Sequence, residues 1–261
     1  MPRIDVRPGL TMAYEDNCFA APWSAPETVV LVHGNCESGR AWTQWVPLVA
    51  DRYRVVRLDM PGFGASTAPD GYTWTSRELA TDIARFLDAL KITRCHLIGA
   101  KYGGSISLQL ASDLPQRFAS LCIFGSPARG VGSGNADAIK AKGVRQWATD
   151  TMRARLGTAA SEAQLKWWCG LMGATEQRAA YGASSSLVKM DLDDRLPLIA
   201  APTLIVTTQE SGLQTVEAVN RYAARIANAR VIVLDGDSYH IAAVEPALCA
   251  RHALEFMSSV H

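Results

Sequence analysis

The stretch Cys95-His96-Leu97-Ile98-Gly99-Ala100-Lys101-Tyr102-Gly103-Gly104-Ser105-Ile106 starts as an unbroken apolar run, narrows to small residues and continues with helix-compatible spacing. An apolar run without in–out alternation reads as a strand covered on both faces. The small residues Gly99, Ala100, Gly103 and Gly104 then allow a tight strand-to-helix turn. Strand over 95–100 and helix over 102–114 are therefore expected, with Lys101 lifted between them at the C-terminal edge of a sheet, where ligands of open α/β folds bind.

Outward from this junction, further β-type runs fall at 29–32, 53–58, 121–124, 203–207 and 230–234. Helix-period segments alternate with them, the pattern of a mostly parallel sheet flanked by helices, in the α/β class. Leu79, Ile83, Phe86, Leu87 and Leu90 repeat at i, i+4, i+7, i+8 and i+11, and Thr75 with Glu78 reads as a capping box at the start of that helix. Further helices are expected over 41–50, 213–226 and 246–257. From 127 to 198 the alternation stops, and the sequence reads as helices broken at Gly143, Gly157, Gly170 and Gly182. A segment of that length between two buried strands is too long for a structureless loop. The expected organisation is a core over 1–126 and 199–261 with a helical lid over 127–198. Trp147, Trp167 and Trp168 of the lid, joined by Trp42 and Trp45, are the candidate apolar wall of a substrate pocket.

The chain has 261 residues, 26 Lys+Arg against 25 Asp+Glu, and 48% hydrophobic residues. This balance excludes the basic footprint of a nucleic-acid binder and a polybasic membrane anchor. The longest apolar stretch is interrupted at Pro202 and Thr203 and falls well short of the roughly 20 residues of a membrane span. Met1 to Leu10 carries Arg3, Asp5 and Arg7 without an apolar core, so no signal peptide is read and a cytoplasmic location is expected. Six cysteines have no zinc-ligand spacing, and neither do His33, His96, His240, His252 and His261. Cys95 and Cys122 fall in strand runs and read as buried free thiols. Neither a Walker loop nor a dinucleotide-binding glycine pattern occurs. The expectation is cofactor-free and metal-free chemistry on a small molecule.

Four segments occur in a telling order: Val32-His33-Gly34-Asn35 after the first strong strand, Asp59-Met60-Pro61-Gly62-Phe63-Gly64-Ala65-Ser66 after the second, Gly99 to Gly104 at the turn, and His240 beyond the last strand with Glu245 following. Together they resemble the α/β-hydrolase superfamily over residues 10–258. Within it, the lid length and the lead-in Asp191-Leu192-Asp193-Asp194-Arg195-Leu196-Pro197-Leu198-Ile199-Ala200-Ala201-Pro202-Thr203-Leu204 are most similar to 3-oxoadipate enol-lactonases. The resemblance implies an oxyanion hole from the backbone N–H groups of Asn35 and Tyr102 and a catalytic His240. His33 reads as a structural residue of its loop.

The pattern departs from the family at the lifted position, where Lys101 replaces the serine of G-x-S-x-G. The acid expected near position 211 is also missing, and Glu210 is the candidate in its place. Burial and the start of the helix at Tyr102 both disfavour the ammonium of Lys101, whereas Glu210 or Glu37, if close, would oppose them. A neutral lysine is a nucleophile toward ketones, but an acyl-lysine would be an inert amide. Three readings follow. The first is an enzyme in which Lys101 and His240 form an imine-based lyase or decarboxylase site for a β-keto acid or act as acid and base on a lactone, ester or water; the second is a non-catalytic ligand-binding pseudoenzyme of the same fold; the third, ranked last because charge balance and composition give no sign of a partner surface, is a structural or partner-binding protein.

Overall fold

The computed structural model describes residues 1–260, so His261 lies outside the described residues. Eight strands form one sheet: β1 (Arg3–Arg7), β2 (Leu10–Asn17), β3 (Thr28–Val32), β4 (Arg54–Leu58), β5 (Cys95–Ala100), β6 (Phe118–Phe124), β7 (Thr203–Thr208) and β8 (Ala229–Leu234). Their spatial order is β1-β2-β4-β3-β5-β6-β7-β8. From β4 to β8 neighbouring strands are parallel, while β2 runs antiparallel to both β1 and β4. The helices are α1 (Val46–Val49), α2 (Ser76–Ala89), α3 (Tyr102–Asp113), α4 (Asn135–Lys142), α5 (Val144–Leu156), α6 (Glu162–Gly173), α7 (Gln177–Val188), α8 (Val216–Ala223), α9 (Ile241–Val244) and α10 (Pro246–Ser259). This is an α/β-hydrolase fold with α4–α7 inserted between β6 and β7. No helix among the described residues is long and apolar enough to cross a membrane.

The absence of in–out alternation has its physical counterpart in two cores. Val30, Val32, Leu97, Leu121, Ile123 and Ile205 pack on the face that carries α2 and α3. Val29, Leu31, Ile98, Cys122, Phe124 and Val206 pack on the other, against Trp42, Trp45 and α10. Successive side chains of a strand point to opposite faces, so both sets must be apolar. Cys95 and Cys122 lie buried in these strands.

Several local expectations are corrected. The helix over 41–50 divides into a 3-10 turn at Gly39–Trp42 and a short α1, because Pro47 is accommodated only in a first turn. The helix over 213–226 shortens to α8, whose start is fixed by Thr215 accepting from the Ala218 N–H. Thr75 caps α2 by accepting from Glu78 N, but the Glu78 carboxylate turns to Thr73 N (2.9 Å) and completes no box. The inserted helices break at Gly143 and Gly157, both at φ +79°, whereas Gly170 and Gly182 lie inside α6 and α7. At Gly182 the lack of a side chain serves close packing: an added Cβ would stand 2.4 Å from the Trp74 ring. The β1–β2 hairpin, turning at Pro8-Gly9, had a readable turn dipeptide but strands too polar to stand out.

Candidate active site

Lys101 occupies the turn between β5 and α3 at φ 51°, ψ −122°, a conformation that costs a non-glycine residue strain energy. Its N–H donates to Phe124 O (2.9 Å), and α3 starts at the next residue. The turn is possible because the neighbouring positions have no side chains: a Cβ on Gly103 would lie 2.2 Å from His33 O and one on Gly104 1.9 Å from Ser126 Oγ. The first turn of α3 thereby seats against the loop after β3 and brings Tyr102 beside Asn35. His33 holds that loop, accepting from Met60 N–H at Nε2 (2.9 Å) with Nδ1 2.8 Å from Gly34 O. Asp59 fixes the adjoining loop by accepting from Gly39 N (2.7 Å) and Ala65 N (2.8 Å).

The side chain of Lys101 is buried and its ammonium rests against Oε1 of Glu37. The same oxygen lies 3.1 Å from His240 Nε2, and Glu37 Oε2 accepts from Gly34 N (3.0 Å). Glu37, 1% exposed, therefore bridges the lifted lysine and the histidine. The bridge is one of close contacts without hydrogen-bond alignment: Lys101 Nζ, Glu37 Oε1 and both ring nitrogens of His240 have no aligned partner among the described residues. His240 is held by its backbone, with its N–H donating to Arg155 O (3.1 Å), and by Trp168, whose ring meets it edge-on at 4.7 Å.

Burial pushes the Glu37 carboxyl up, but the charge of Lys101, then that of His240 and the contacts with both, hold it well below the usual carboxylate range. Burial lowers Lys101; Glu37 opposes this and the Arg155 charge adds to it, leaving the amine below its ordinary value. For His240, burial and then the Lys101 charge outweigh Glu37, and its pKa falls to about 4. At neutral pH the site holds a carboxylate and an uncharged imidazole. Cys36, in the same loop, is raised by burial to about 12 and remains a thiol.

A cavity of about 50 Å³ opens on this cluster, lined by Asn35, Lys101, Tyr102, Trp147, Arg155 and Tyr239 among others. Larger clefts lie elsewhere, but this one is lined by Lys101, the residue in contact with Glu37. Of the residues anticipated from sequence, Lys101 and His240 meet through Glu37, and Asn35, Tyr102 and Trp147 face the cavity. Glu210 is not brought to His240: it is exposed just past β7, where its N–H donates to Gly236 O (3.0 Å). Trp42 and Trp45 are core residues, with Trp45 Nε1 donating to Ala242 O (2.9 Å) and its ring edge-on to Phe124. Trp167 is 40% exposed and borders a separate groove of about 310 Å³ with Arg40 and Trp168. Glu37, anticipated only as a charge that would oppose the lowering of Lys101, joins the site in contact with it, and Arg155, which had no assigned place, was readable from the helical series Trp147, Thr151, Arg155.

The chain is 30% identical to the pimeloyl-[acyl-carrier protein] methyl ester esterase of Aeromonas hydrophila over 226 residues, 81% of this chain and 87% of that protein. Its structure superposes on the enol-lactonase of Burkholderia xenovorans LB400 with a TM-score of 0.89 at 22% identity, covering 98% of this chain and all of that one. It superposes on a thermophilic esterase from Thermogutta terrifontis at 0.87 and 21% identity, over the full length of both chains. At such identities the superpositions speak for the fold alone. The family model described as alpha/beta hydrolase fold matches residues 27–247, and the chain belongs to the α/β-hydrolase fold family.

Proposed function

We propose that the protein hydrolyses a small ester or lactone by direct attack of water, with Lys101, Glu37 and His240 moving protons in place of a Ser-His-Asp triad. The observation that carries this reading is the single oxygen of Glu37 in contact with both Lys101 and His240. An amine whose ammonium form is held by a buried carboxylate is a proton donor before it is a nucleophile. That favours acid–base chemistry over an imine, and over the acyl-lysine that would end in an amide.

In this reading the backbone N–H groups of Asn35 and Tyr102 polarise the substrate carbonyl. Water adds its oxygen to the carbonyl carbon and its proton passes to the uncharged His240 imidazole. The C–O bond then breaks, and the departing alkoxide takes a proton from Lys101. Glu37, touching both groups, returns the proton from His240 to Lys101. Residues 127–198 act as the lid and 1–126 with 199–261 as the catalytic core. The methyl ester esterase among the relatives supports an ester as the substrate class.

The test is a panel of small esters, enol lactones and β-keto acids, with intact mass taken after borohydride. Expected are turnover of esters or lactones, no adduct, and a loss of kcat of about 100-fold or more in both Glu37→Gln and Lys101→Met. A reduced adduct on Lys101 would establish imine chemistry instead. Absence of turnover across the panel would leave a ligand-binding protein that retains the fold.

A further inference from the structure

We infer that α7 is the seat of the oxyanion hole: Ser184 and Gly182 are positioning residues that hold the backbone N–H groups of Asn35 and Tyr102 at their working separation, an inference that rests on the hydrolytic reading above. Both residues line the cavity, and neither N–H donates to another group among the described residues. Their direction is therefore set by what holds the rest of each residue. The side chain of Asn35 donates from Nδ2 to Ser184 Oγ (3.0 Å), a hydroxyl on a residue that is 2% exposed. Asn35 Oδ1 accepts from Cys36 Sγ (3.4 Å), which fixes the end of the amide that faces α7.

Tyr102 reaches the same helix at one remove. Its hydroxyl donates to Trp74 O (2.7 Å), and the Trp74 indole donates from Nε1 to Pro61 O (2.8 Å). The indole packs against Gly182, where an added Cβ would come within 2.4 Å of it. Ser184 is two residues beyond Gly182, about 200° around an α-helix, so nearly opposite walls of α7 meet the two anchors. Leu187, on the Ser184 side, lines the cavity with Asn35 and Tyr102. The helix is itself pinned to the core, with Ser186 Oγ donating to Thr73 O (2.6 Å) and Arg178 Nη2 to Ala68 O (2.8 Å).

Backbone strain lies beside both anchors. Cys36, next to Asn35, stands at φ 59° and Trp74 at φ 51°, left-handed conformations that an L side chain keeps only where surrounding contacts hold it there. Loss of the Ser184 contact lets the Asn35 loop relax and turns its N–H away from the developing oxyanion. A donor aimed at that oxygen acts through geometry, so a small misdirection lowers rate more than binding. Of the helices inserted between β6 and β7, α7 thus lies between the two halves of the hole and sets their spacing.

The experiment removes the contact from either side. With whichever ester or lactone of the panel the wild type turns over, Ser184→Ala and Asn35→Ala, which retains its backbone N–H, should each lower kcat about tenfold with KM within about twofold. The double variant should lose no more than the more impaired single one, because both substitutions remove the same hydrogen bond. Tyr102→Phe, which frees Trp74 O, should also lower kcat at constant KM. Unchanged kcat in Ser184→Ala or in Tyr102→Phe, losses that multiply in the double variant, or a rise in KM that accounts for the loss would overturn the inference. A readout without substrate separates it from the hydrolytic reading. The backbone 15N order parameter of Asn35 should fall from about 0.85 toward about 0.6 in Ser184→Ala, while that of Gly99 stays unchanged. An unmoved Asn35 would overturn the seat whether or not the protein is a hydrolase. A mobile Asn35 in a protein that turns over none of the panel would remove the hydrolytic reading and keep α7 as the holder of a ligand-binding pair of N–H groups.

Discussion

His240 Nε2 lies 3.1 Å from Glu37 Oε1, so the ring edge that a triad histidine turns toward its nucleophile here meets a carboxylate. Nδ1, the edge a triad acid would orient, has no aligned partner among the described residues. The histidine is kept while its surroundings are rearranged: the acid has moved from the Nδ1 side to the Nε2 side and carries Lys101 with it.

This arrangement fixes a pH dependence of stability. His240 titrates at about 4 in the folded chain against 6.5 in an unfolded one. Between those values the unfolded state binds more protons, so stability falls as the pH is lowered from about 6.5 to about 4. At about 1.4 kcal/mol per pH unit the loss is about 3 kcal/mol. Glu37, held below its usual value, adds a loss of the same sign as the pH falls through and below 4.5. Urea midpoints from pH 7 down to 4.5 measure the slope, and His240→Asn should flatten it. An equal slope in that variant would assign the dependence to other groups.

Removal of one partner of the buried pair should cost more than removal of both. Lys101→Met leaves the Glu37 carboxylate buried without its main counter-charge, a loss of about 3 to 5 kcal/mol. Lys101→Met combined with Glu37→Gln should recover much of it, a coupling visible in a double-mutant cycle. The lysine charge also depresses His240, so the ring should titrate above 4 in Lys101→Met by NMR. Additive stabilities and an unmoved titration would mean that the three groups do not act as a unit.

The turn that presents Lys101 depends on backbone closeness more than on the lysine. Gly103→Ala would force a Cβ to within 2.2 Å of His33 O, a backbone atom that cannot move without shifting the Asn35 loop. A destabilisation of about 3 kcal/mol or more is expected in chemical denaturation, in the range of severe packing defects. A change below 1 kcal/mol, by the same measure of surface-like effects, would mean that α3 can draw back from the loop.

Why the sequence revealed the sheet but only part of the site follows from the distances involved. Val29 to Val32 and Leu204 to Val206 must be apolar on both faces, a local property visible in a few adjacent letters. Lys101 stood out because the glycines around it make its position unique. The contact of Glu37 with Lys101 and His240 spans three loops far apart in sequence, and no periodicity encodes it. Glu210 was a reasonable substitute acid by order along the chain, yet the turn after β7 leaves it exposed. Trp42 and Trp45 share their residue type with Trp147 but sit under the sheet, because the 3-10 turn before α1 directs them inward.

Glu210→Gln is accordingly a silent substitution. With its side chain exposed, stability should stay within about 0.5 kcal/mol of wild type. Turnover of whichever ester or lactone is accepted should stay within about twofold, since a triad acid acts through direct contact with its histidine. A loss of more than tenfold in kcat with KM unchanged would show that the loop after β7 swings toward His240 during the reaction.

Trp168 separates His240 from solvent. Its ring meets the imidazole at 4.7 Å on one side and bounds the groove with Arg40 and Trp167 on the other. Burial is the largest cause of the depressed histidine pKa, so Trp168→Ala should admit water and move the titration of His240 from about 4 toward 6.5. The variant should lose about 3 to 5 kcal/mol at pH 7, the usual cost of truncating a buried tryptophan. Its stability should also change less with pH between 4.5 and 6.5, because the folded and unfolded histidines then titrate closer together. NMR titration of the His240 ring and urea midpoints across this interval check both effects. A histidine that still titrates near 4 without the indole would place the cause in the Lys101 charge, and the groove would then have no part in tuning the site.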